Sequence, residues 1–217
     1  MEIKRYKTLV FDCDGVVLNS NQLKIQAYFD VALKHGADKK QAQALVDHHI
    51  KLGGVSRYPK FEYFLREIVK VSVTDAATQS LLDDFGHEVK RRLSDCEIAS
   101  GLLDLRKATS DARWMIISGG DQIELREIFI ERGLDDLFNA GIFGSPDNKD
   151  EILARELARG NITVPALFLG DSRYDHVASV RAGLDFIFLS DWTDFEGWQE
   201  YCNANHIPVL SGVSALC

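Results

Sequence analysis

The stretch Thr8-Leu9-Val10-Phe11-Asp12-Cys13-Asp14-Gly15 decides the predicted fold of this chain. Its first four residues form an apolar run of the kind that a buried parallel strand shows. Two aspartates one residue apart follow, and Gly15 then indicates that the strand does not continue far. Asp12 and Asp14 are therefore expected at the carboxyl end of a strand, where open α/β sheets bind ligands.

The same two aspartates predict a cation site, because carboxylates this close repel each other unless a cation or a shared proton lies between them. A hard divalent cation such as Mg²⁺, bound by oxygen, is the simplest way to keep both. A calcium-binding loop is disfavoured, since no further acidic ligands follow Asp14 at the required spacing. A plain turn remains an alternative at this point.

The composition favours a folded protein in a compartment where cysteines stay reduced. The chain has 217 residues, of which 46% are hydrophobic, so it can bury a sizeable core and disorder is not expected. Its net charge of -8 argues against binding to nucleic acid or to an anionic membrane. No apolar run approaches the roughly 20 residues of a membrane span, and no signal-peptide core is visible. Four scattered cysteines favour a cytoplasmic location.

The segment from residue 21 to about residue 94 has a helical pattern. Four amphipathic helices are expected there, with a loop over residues 52–59 between the second and the third. No strand signal interrupts them, which suggests a small helical bundle inserted into another domain. The predicted organisation is a catalytic core of residues 1–18 and 99–217 and an inserted helical domain of residues 19–98.

The rest of the chain alternates strands and helices. Strands are predicted over 113–118, 140–143, 166–170 and 185–189, with a helix after each. This alternation implies an α/β fold with a parallel, doubly wound sheet.

The carboxyl ends of the predicted strands and the connections that follow them carry a hydroxyl, a lysine and several carboxylates. In chain order these residues are Asp12, Asp14, Ser118, Lys149, Asp171 and Asp175. Because the ends of parallel strands meet at one edge of a sheet, the side chains are expected to converge. Carboxylates hold Mg²⁺, a hydroxyl and backbone N–H groups hold phosphate oxygens, and a lysine offsets their charge. The set therefore indicates phosphoryl transfer.

Four ordered motifs make the chain resemble the haloacid dehalogenase (HAD) superfamily over nearly its whole length. They are Asp12-x-Asp14-Gly15, Ser118, Lys149 and Gly170-Asp171-x-x-x-Asp175. The resemblance implies a HAD-like, Rossmann-type core with an α-helical cap of the first type. It also implies a phosphatase, because the dehalogenase branch lacks the second aspartate. Many phosphatases of the family have threonine where this chain has Val16, which leaves the subfamily open.

The resemblance assigns a role to each motif residue. Asp12 would be the nucleophile that forms an aspartyl-phosphate, and Asp14 the general acid and then the base. Mg²⁺ would be held by Asp12, Asp171 and the backbone carbonyl of Asp14, with Asp175 as a supporting acid. The implied phosphate-binding residues are Ser118, Gly119 and Lys149.

Simpler interpretations of three motif residues remain open. Ser118 is also explained as a small residue at a strand end, and Lys149 as a solvent-facing residue at a helix start. Asp175 is also explained as the cap of the helix that follows the last motif.

The inserted domain is expected to select the substrate. Residues 51–57 resemble a loop of β-phosphoglucomutase-like members in which an arginine holds a second phosphate. Arg57 and Tyr58 are the candidates for this contact, and Tyr28 and Lys60 are candidates to line the same pocket. A solvated surface loop is the alternative interpretation of Arg57.

The sequence thus predicts a Mg²⁺-dependent phosphatase for a small phosphorylated metabolite, either a sugar phosphate or an organic-acid phosphate. A monomer or a homodimer is expected. A phosphomutase is the nearest alternative, because it shares the first half-reaction. A receiver-type signalling domain and an inactive binding protein are further alternatives, the former disfavoured by the Asp-x-Asp pair and the long insertion.

Overall fold

The computed structural model describes residues 2–217, in which six strands form one parallel sheet of order β3-β2-β1-β4-β5-β6. The strands are β1 (Thr8–Phe11), β2 (Arg113–Asp121), β3 (Ile142–Ser145), β4 (Ala166–Gly170), β5 (Asp185–Leu189) and β6 (Val209–Leu210). The chain winds outward from β1 in both directions, since β2 and β4 pair with its opposite edges. The predicted doubly wound parallel sheet is confirmed.

Helices connect the strands and cover both faces of the sheet. They are α1 (Asn21–Lys34), α2 (Lys39–Lys51), α3 (Arg57–Tyr63), α4 (Asp75–Leu93), α5 (Leu102–Ala108), α6 (Gln122–Glu131), α7 (Lys149–Ala158), α8 (Arg173–Arg181) and α9 (Trp198–Ala204). A π-helical segment, Phe64–Val69, continues α3. Within residues 2–217, no helix has the length and apolar character that crossing a membrane would require.

Three predicted boundaries differ from the structure. The predicted loop over 52–59 is shorter, because α3 already begins at Arg57. β2 extends beyond residue 118 to Asp121, with an irregular register after Ile117. β3 covers Ile142–Ser145 instead of 140–143. Each difference lies at an element end, where pairing with a neighbouring strand or helix overrides the local pattern.

The apolar run of β1 is buried because layers of helices cover both faces of the sheet. Leu9 and Phe11 belong to the core on one face, whereas Val10 belongs to the core on the other. All three side chains are fully buried. A strand buried on both faces cannot alternate polar and apolar residues, which explains why this segment reads as a continuous apolar run.

Helices α1 to α4 lie between β1 and β2 in chain order, and we call residues 21–93 the helical insertion. Its centre is aromatic: the Tyr28 and Phe85 ring centroids lie 4.2 Å apart, and those of Phe61 and Phe85 lie 5.4 Å apart. The two chain connections to the sheet run side by side, as Leu18 forms an antiparallel bridge with Ile98. The division into separate domains at residues 18/19 and 98/99 stays a prediction.

Gly15 allows the turn after β1 to approach the loop after β4. Its φ angle is +73°, and a Cβ atom at this position would lie 2.0 Å from Asp171 Oδ2. Any other residue would therefore meet both backbone strain and a collision with a buried carboxylate.

We expect Gly15→Ala to destabilise the protein more than Gly36→Ala does. Gly36 has a similar φ of +83° but no atom within 4 Å of a built Cβ, so its variant isolates the backbone strain of about 1–2 kcal/mol. The collision at Gly15 should add about 1–3 kcal/mol. Urea unfolding of both variants measures the difference, and equal losses would contradict the close approach to Asp171.

Candidate active site

Asp12 and Asp171 lie on either side of the point where the strand order reverses. Asp12 directly follows β1, and its backbone N–H donates to the Leu169 carbonyl of β4 at 2.9 Å. Asp171 directly follows β4. Doubly wound sheets bind ligands at this reversal, because the loops on either side separate there.

Three buried carboxylates cluster at this position. Oxygen atoms of Asp12, Asp171 and Asp175 lie within 4.8 Å of one another, and each residue is at most 4% exposed. Burial, together with the charge of Asp175, raises the pKa of Asp12 to about 7. Burial and the charge of Asp12 likewise raise the pKa of Asp171 well above its usual value. The cluster therefore carries a charge that one lysine does not balance.

That lysine is Lys149, at the start of α7. Its Nζ lies 2.9 Å from Asp12 Oδ2 and also contacts Asp175 Oδ1. Burial alone lowers the pKa of Lys149, but the two carboxylates raise it above its usual value, so the ammonium stays charged. At 1% exposure it does not face solvent, and that simpler interpretation is wrong.

Asp175 combines a local and a long-range role. It lies in the first turn of α8, where its Oδ2 accepts from the Ser172 hydroxyl at 2.6 Å and from the Ser172 backbone N–H in a capping box. The other carboxylate oxygen contacts Lys149. The capping interpretation is thus correct but incomplete, because the cap also holds Lys149 in place.

Asp14 lies in the turn after β1, but its side chain is separate from the carboxylate cluster. Its Oδ1 accepts from the Ser20 hydroxyl at 2.5 Å, and its Oδ2 lies 2.5 Å from Lys24 Nζ. Burial alone raises the pKa of Asp14, but the ion pair with Lys24 brings it below its usual value. Asp14 is therefore ionised in this arrangement.

Two contacts of the site were not predicted from the sequence. Lys24 pairs with Asp14, and Asn21 donates from Nδ2 to Asp171 Oδ2 at 2.7 Å and to the Trp192 carbonyl at 2.8 Å. Both residues lie in the first turns of α1, where a lysine and an asparagine look like ordinary surface residues. In the sequence, the only indication of these contacts was that two polar residues lie three positions apart on one helix.

Ser118 and Gly119 lie in the irregular part of β2. Ser118 is fully buried, and its hydroxyl oxygen accepts from the Gly120 backbone N–H at 3.0 Å. A Cβ atom at Gly119 would lie 2.4 Å from the Gly54 carbonyl oxygen of the insertion. The helical insertion is thus in direct contact with the sheet edge.

A small cavity of about 50 Å³ lies between the sheet edge and the helical insertion. Asp12, Asp14 and Asp171 line it from the sheet side. From the insertion it is lined by Lys24, Tyr28, His49, Arg57, Lys60 and Phe85. Acidic groups therefore face a wall that is rich in cationic and aromatic groups.

Arg57 is part of that wall but is already paired. Its Nη1 and Nη2 atoms donate to the two carboxylate oxygens of Glu124 on α6, at 2.8 and 2.5 Å. The guanidinium also lies 4.7 Å above the Phe85 ring. At 5% exposure, the alternative of a solvated loop is wrong. Tyr58 does not line the cavity, since its hydroxyl reaches Asp121 Oδ2 at 3.3 Å.

The donor set fits a hard divalent cation. The clustered ligand atoms of Asp12, Asp171 and Asp175 are all carboxylate oxygens, with no thiolate or imidazole among them. Mg²⁺ prefers this oxygen chemistry, and a cation would neutralise the buried charge that raises the pKa of Asp12 and Asp171.

Comparison with known proteins identifies the family. Residues 9–189 match the family model for haloacid dehalogenase-like hydrolases, which is most of the chain. The chain belongs to this family. HAD-family proteins generally use Mg²⁺, in agreement with the carboxylate cluster. No curated protein matches this HAD-like hydrolase at a significant level.

Solved structures share its fold at low sequence identity. A predicted phosphoglycolate phosphatase from Haemophilus somnus has a TM-score of 0.76 and 15% identity, covering 98% of this chain and 96% of its own. A predicted phosphatase from Clostridium acetobutylicum has a TM-score of 0.75 and 17% identity, covering 97% and 96%. A β-phosphoglucomutase from Clostridium difficile has a TM-score of 0.71 and 18% identity, covering 97% and 93%.

We expect Glu124→Gln to destabilise this hydrolase by about 2 kcal/mol, because it leaves the buried Arg57 guanidinium without a counter-charge. The matched control is Glu127→Gln, one turn further along α6, which removes an exposed pair with Lys90 that contributes little to stability. Urea unfolding compares the two variants. Equal effects would show that Arg57 does not depend on Glu124.

The buried cluster also predicts a pH-dependent effect of Asp171→Asn in metal-free protein. A carboxyl group whose folded pKa is raised destabilises the fold as pH rises through the interval between its unfolded and folded pKa values. The variant lacks that titration, so its gain in unfolding free energy over wild type should be larger at pH 8 than at pH 5. Mg²⁺ should stabilise wild type at pH 8 more than the variant.

Chemical denaturation in EDTA and in Mg²⁺ measures both effects. Asp136→Asn is the control, because Asp136 is an exposed aspartate outside the cluster. A pH-independent difference, or equal stabilisation of both proteins by Mg²⁺, would contradict the cluster as a cation site.

Proposed function

We propose that this HAD-like hydrolase is a Mg²⁺-dependent phosphatase that cleaves the phosphomonoester of a small metabolite, a sugar phosphate or an organic-acid phosphate. The observation that carries the proposal is the position of Asp12. It is buried at the end of β1, paired with Lys149, and it lines a small cavity that Asp14 also lines. A nucleophile and a separate acid–base group on one small cavity are what a two-step phosphoryl transfer needs.

Asp12 would attack the phosphorus atom and form an aspartyl-phosphate. The backbone N–H of Cys13 donates to its Oδ1 at 2.7 Å, and Lys149 holds its Oδ2. These contacts fix the carboxylate plane, so that little orientational freedom is lost on reaction. The P–O bond to the leaving group breaks as the Asp12–phosphorus bond forms.

Asp14 would take up a proton from solvent and donate it to the leaving oxygen, and it would later take a proton from the attacking water. The ion pair with Lys24 favours the ionised form, which is the form that the second step requires. Ser20 and Lys24 each hold one oxygen, which orients the carboxylate toward the cavity.

The transferred phosphoryl group would be bound by the charge of Lys149, the Ser118 hydroxyl and the backbone at Gly119. Asp12, Asp171 and the Asp14 backbone carbonyl would hold Mg²⁺, with Asp175 in support. When bound, Mg²⁺ supplies neutralisation of charge on the phosphoryl oxygens.

A phosphomutase is the second candidate function, because the same aspartyl-phosphate can return its phosphoryl group to substrate instead of to water. The observation that favours this candidate is the similar fold of the β-phosphoglucomutase from Clostridium difficile, which covers 97% of this chain. We also propose a cytoplasmic location, because all four cysteines are free thiols. The proposed oligomeric state is a monomer or a homodimer, and the proposed ligand is a phosphorylated metabolite.

The decisive experiment measures phosphate release from p-nitrophenyl phosphate with Mg²⁺ and with EDTA. Wild type should be active only with the metal, and Asp12→Asn should lose at least about 10³-fold while remaining folded. Asp136→Asn is again the control and should keep full activity. A variant at Asp12 with a tenth of wild-type turnover would contradict its role as nucleophile.

A screen of phosphorylated metabolites then separates the two functions. Hexose 1-phosphates with a bisphosphate activator test for transfer, whereas sugar phosphates and organic-acid phosphates alone test for hydrolysis. Isomerised sugar phosphate without released phosphate would establish the phosphomutase.

A further inference from the structure

Lys60 is a buried lysine on the cavity wall that has no carboxylate partner. Its side chain is 1% exposed and lines the same cavity as Asp12 and Asp171. Its Nζ lies 2.8 Å from His49 Nδ1. In residues 2–217, no carboxylate oxygen comes within the 4.0 Å of an ion pair with this ammonium group.

The other two cations of the wall are occupied. Lys24 is paired with Asp14, and both nitrogens of the Arg57 fork are taken by Glu124. An incoming anion would have to break an existing ion pair to use either of them. Lys60 is the one cation of this wall that can bind an anion without such a loss.

Without a ligand, the surroundings of Lys60 lower the fraction of its amine that is protonated. Burial is the main cause that lowers its pKa to about 7, and the neighbouring Lys24 acts in the same direction. Burial and Lys60 lower the pKa of His49 well below its usual value, so His49 is neutral and its Nδ1 accepts from the amine. Asp194, which follows β5 and also lines the cavity, only partly offsets these effects.

A buried amine in this state gains more from an anionic partner than an exposed one does. An anion beside Nζ would restore the full charge and form a charge-assisted hydrogen bond with an amine that is only 1% exposed. The cavity is small, about 50 Å³, so a short molecule suits it better than a long one.

We propose that Lys60 binds an anionic group of the substrate, a carboxylate or a second phosphate, at the end remote from the phosphoryl group that Asp12 attacks. This inference rests on the proposed function and narrows it: the substrate is a short phosphomonoester with a second anionic group. It assigns to Lys60 the recognition that the sequence predicted for Arg57.

Three probes of similar size test this assignment. 3-Phosphoglycerate and glycerol 3-phosphate differ by a carboxylate in place of a hydroxymethyl group, and propane-1,3-diol bisphosphate carries a second phosphate. Wild type should prefer an anionic probe over glycerol 3-phosphate in kcat/KM by at least about tenfold, as one charge-assisted hydrogen bond provides. Preference between the two anionic probes identifies the anion as carboxylate or phosphate.

Lys60→Gln should reduce this preference by roughly 10- to 100-fold, which is about 1.4–2.7 kcal/mol at 1.36 kcal/mol per decade. The matched control is Lys40→Gln, an exposed lysine of the insertion that does not line the cavity, and it should leave the preference unchanged. An unchanged preference in Lys60→Gln, or no preference in wild type, would overturn the proposal.

Two further measurements keep the test independent of folding and of catalysis. Lys60→Met keeps the aliphatic stem and removes the buried amine, so its unfolding midpoint should equal or exceed that of wild type, whereas a purely structural role predicts a loss. Calorimetry of 3-phosphoglycerate binding to the Mg²⁺-loaded protein needs no turnover. Binding that depends on Lys60, in a protein that releases no phosphate from p-nitrophenyl phosphate or from the three probes, would disprove the proposed phosphatase and keep the anion site.

Discussion

The contact of Lys149 with Asp12 and Asp175 is the interaction on which the rest of the site depends. A parallel sheet brings its strand ends together, and here that arrangement buries three carboxylates within 4.8 Å of one another. One lysine cannot neutralise three such groups, which explains the raised pKa of Asp12 and of Asp171. A divalent cation would remove this imbalance, because its charge would offset the carboxylates that Lys149 leaves unbalanced.

The helical insertion adds a second electrostatic layer to this edge of the sheet. Lys24 holds Asp14 apart from the carboxylate cluster, and Arg57 joins the insertion to α6 through Glu124. Asn21 orients Asp171. These residues give the insertion contacts with each side of the cavity, while Lys60 remains available to a ligand. Under the proposed function, the sheet edge carries out the chemistry and the insertion recognises the substrate.

Much of the fold and the positions of the candidate catalytic residues were predictable from local patterns. The apolar run ending in Asp12 indicated a buried parallel strand, and residues at the later strand ends followed from the topology of such a sheet. The contacts of Lys24, Asn21 and Glu124 were not predictable, because each joins residues from different parts of the fold. A lysine or an asparagine on a helix looks the same whether it faces solvent or a buried carboxylate.

The sequence by itself determined the α/β architecture, the helical insertion and the position of Asp12 after β1, since these depend on apolar periodicity and on local turn residues. Only the tertiary structure decided which charges are paired. In the structure, Arg57 is paired with Glu124, and Lys60 lies beside the neutral His49. The physical reason is that the charge state of a buried group depends on distances of a few ångströms to groups from other elements, which packing alone sets.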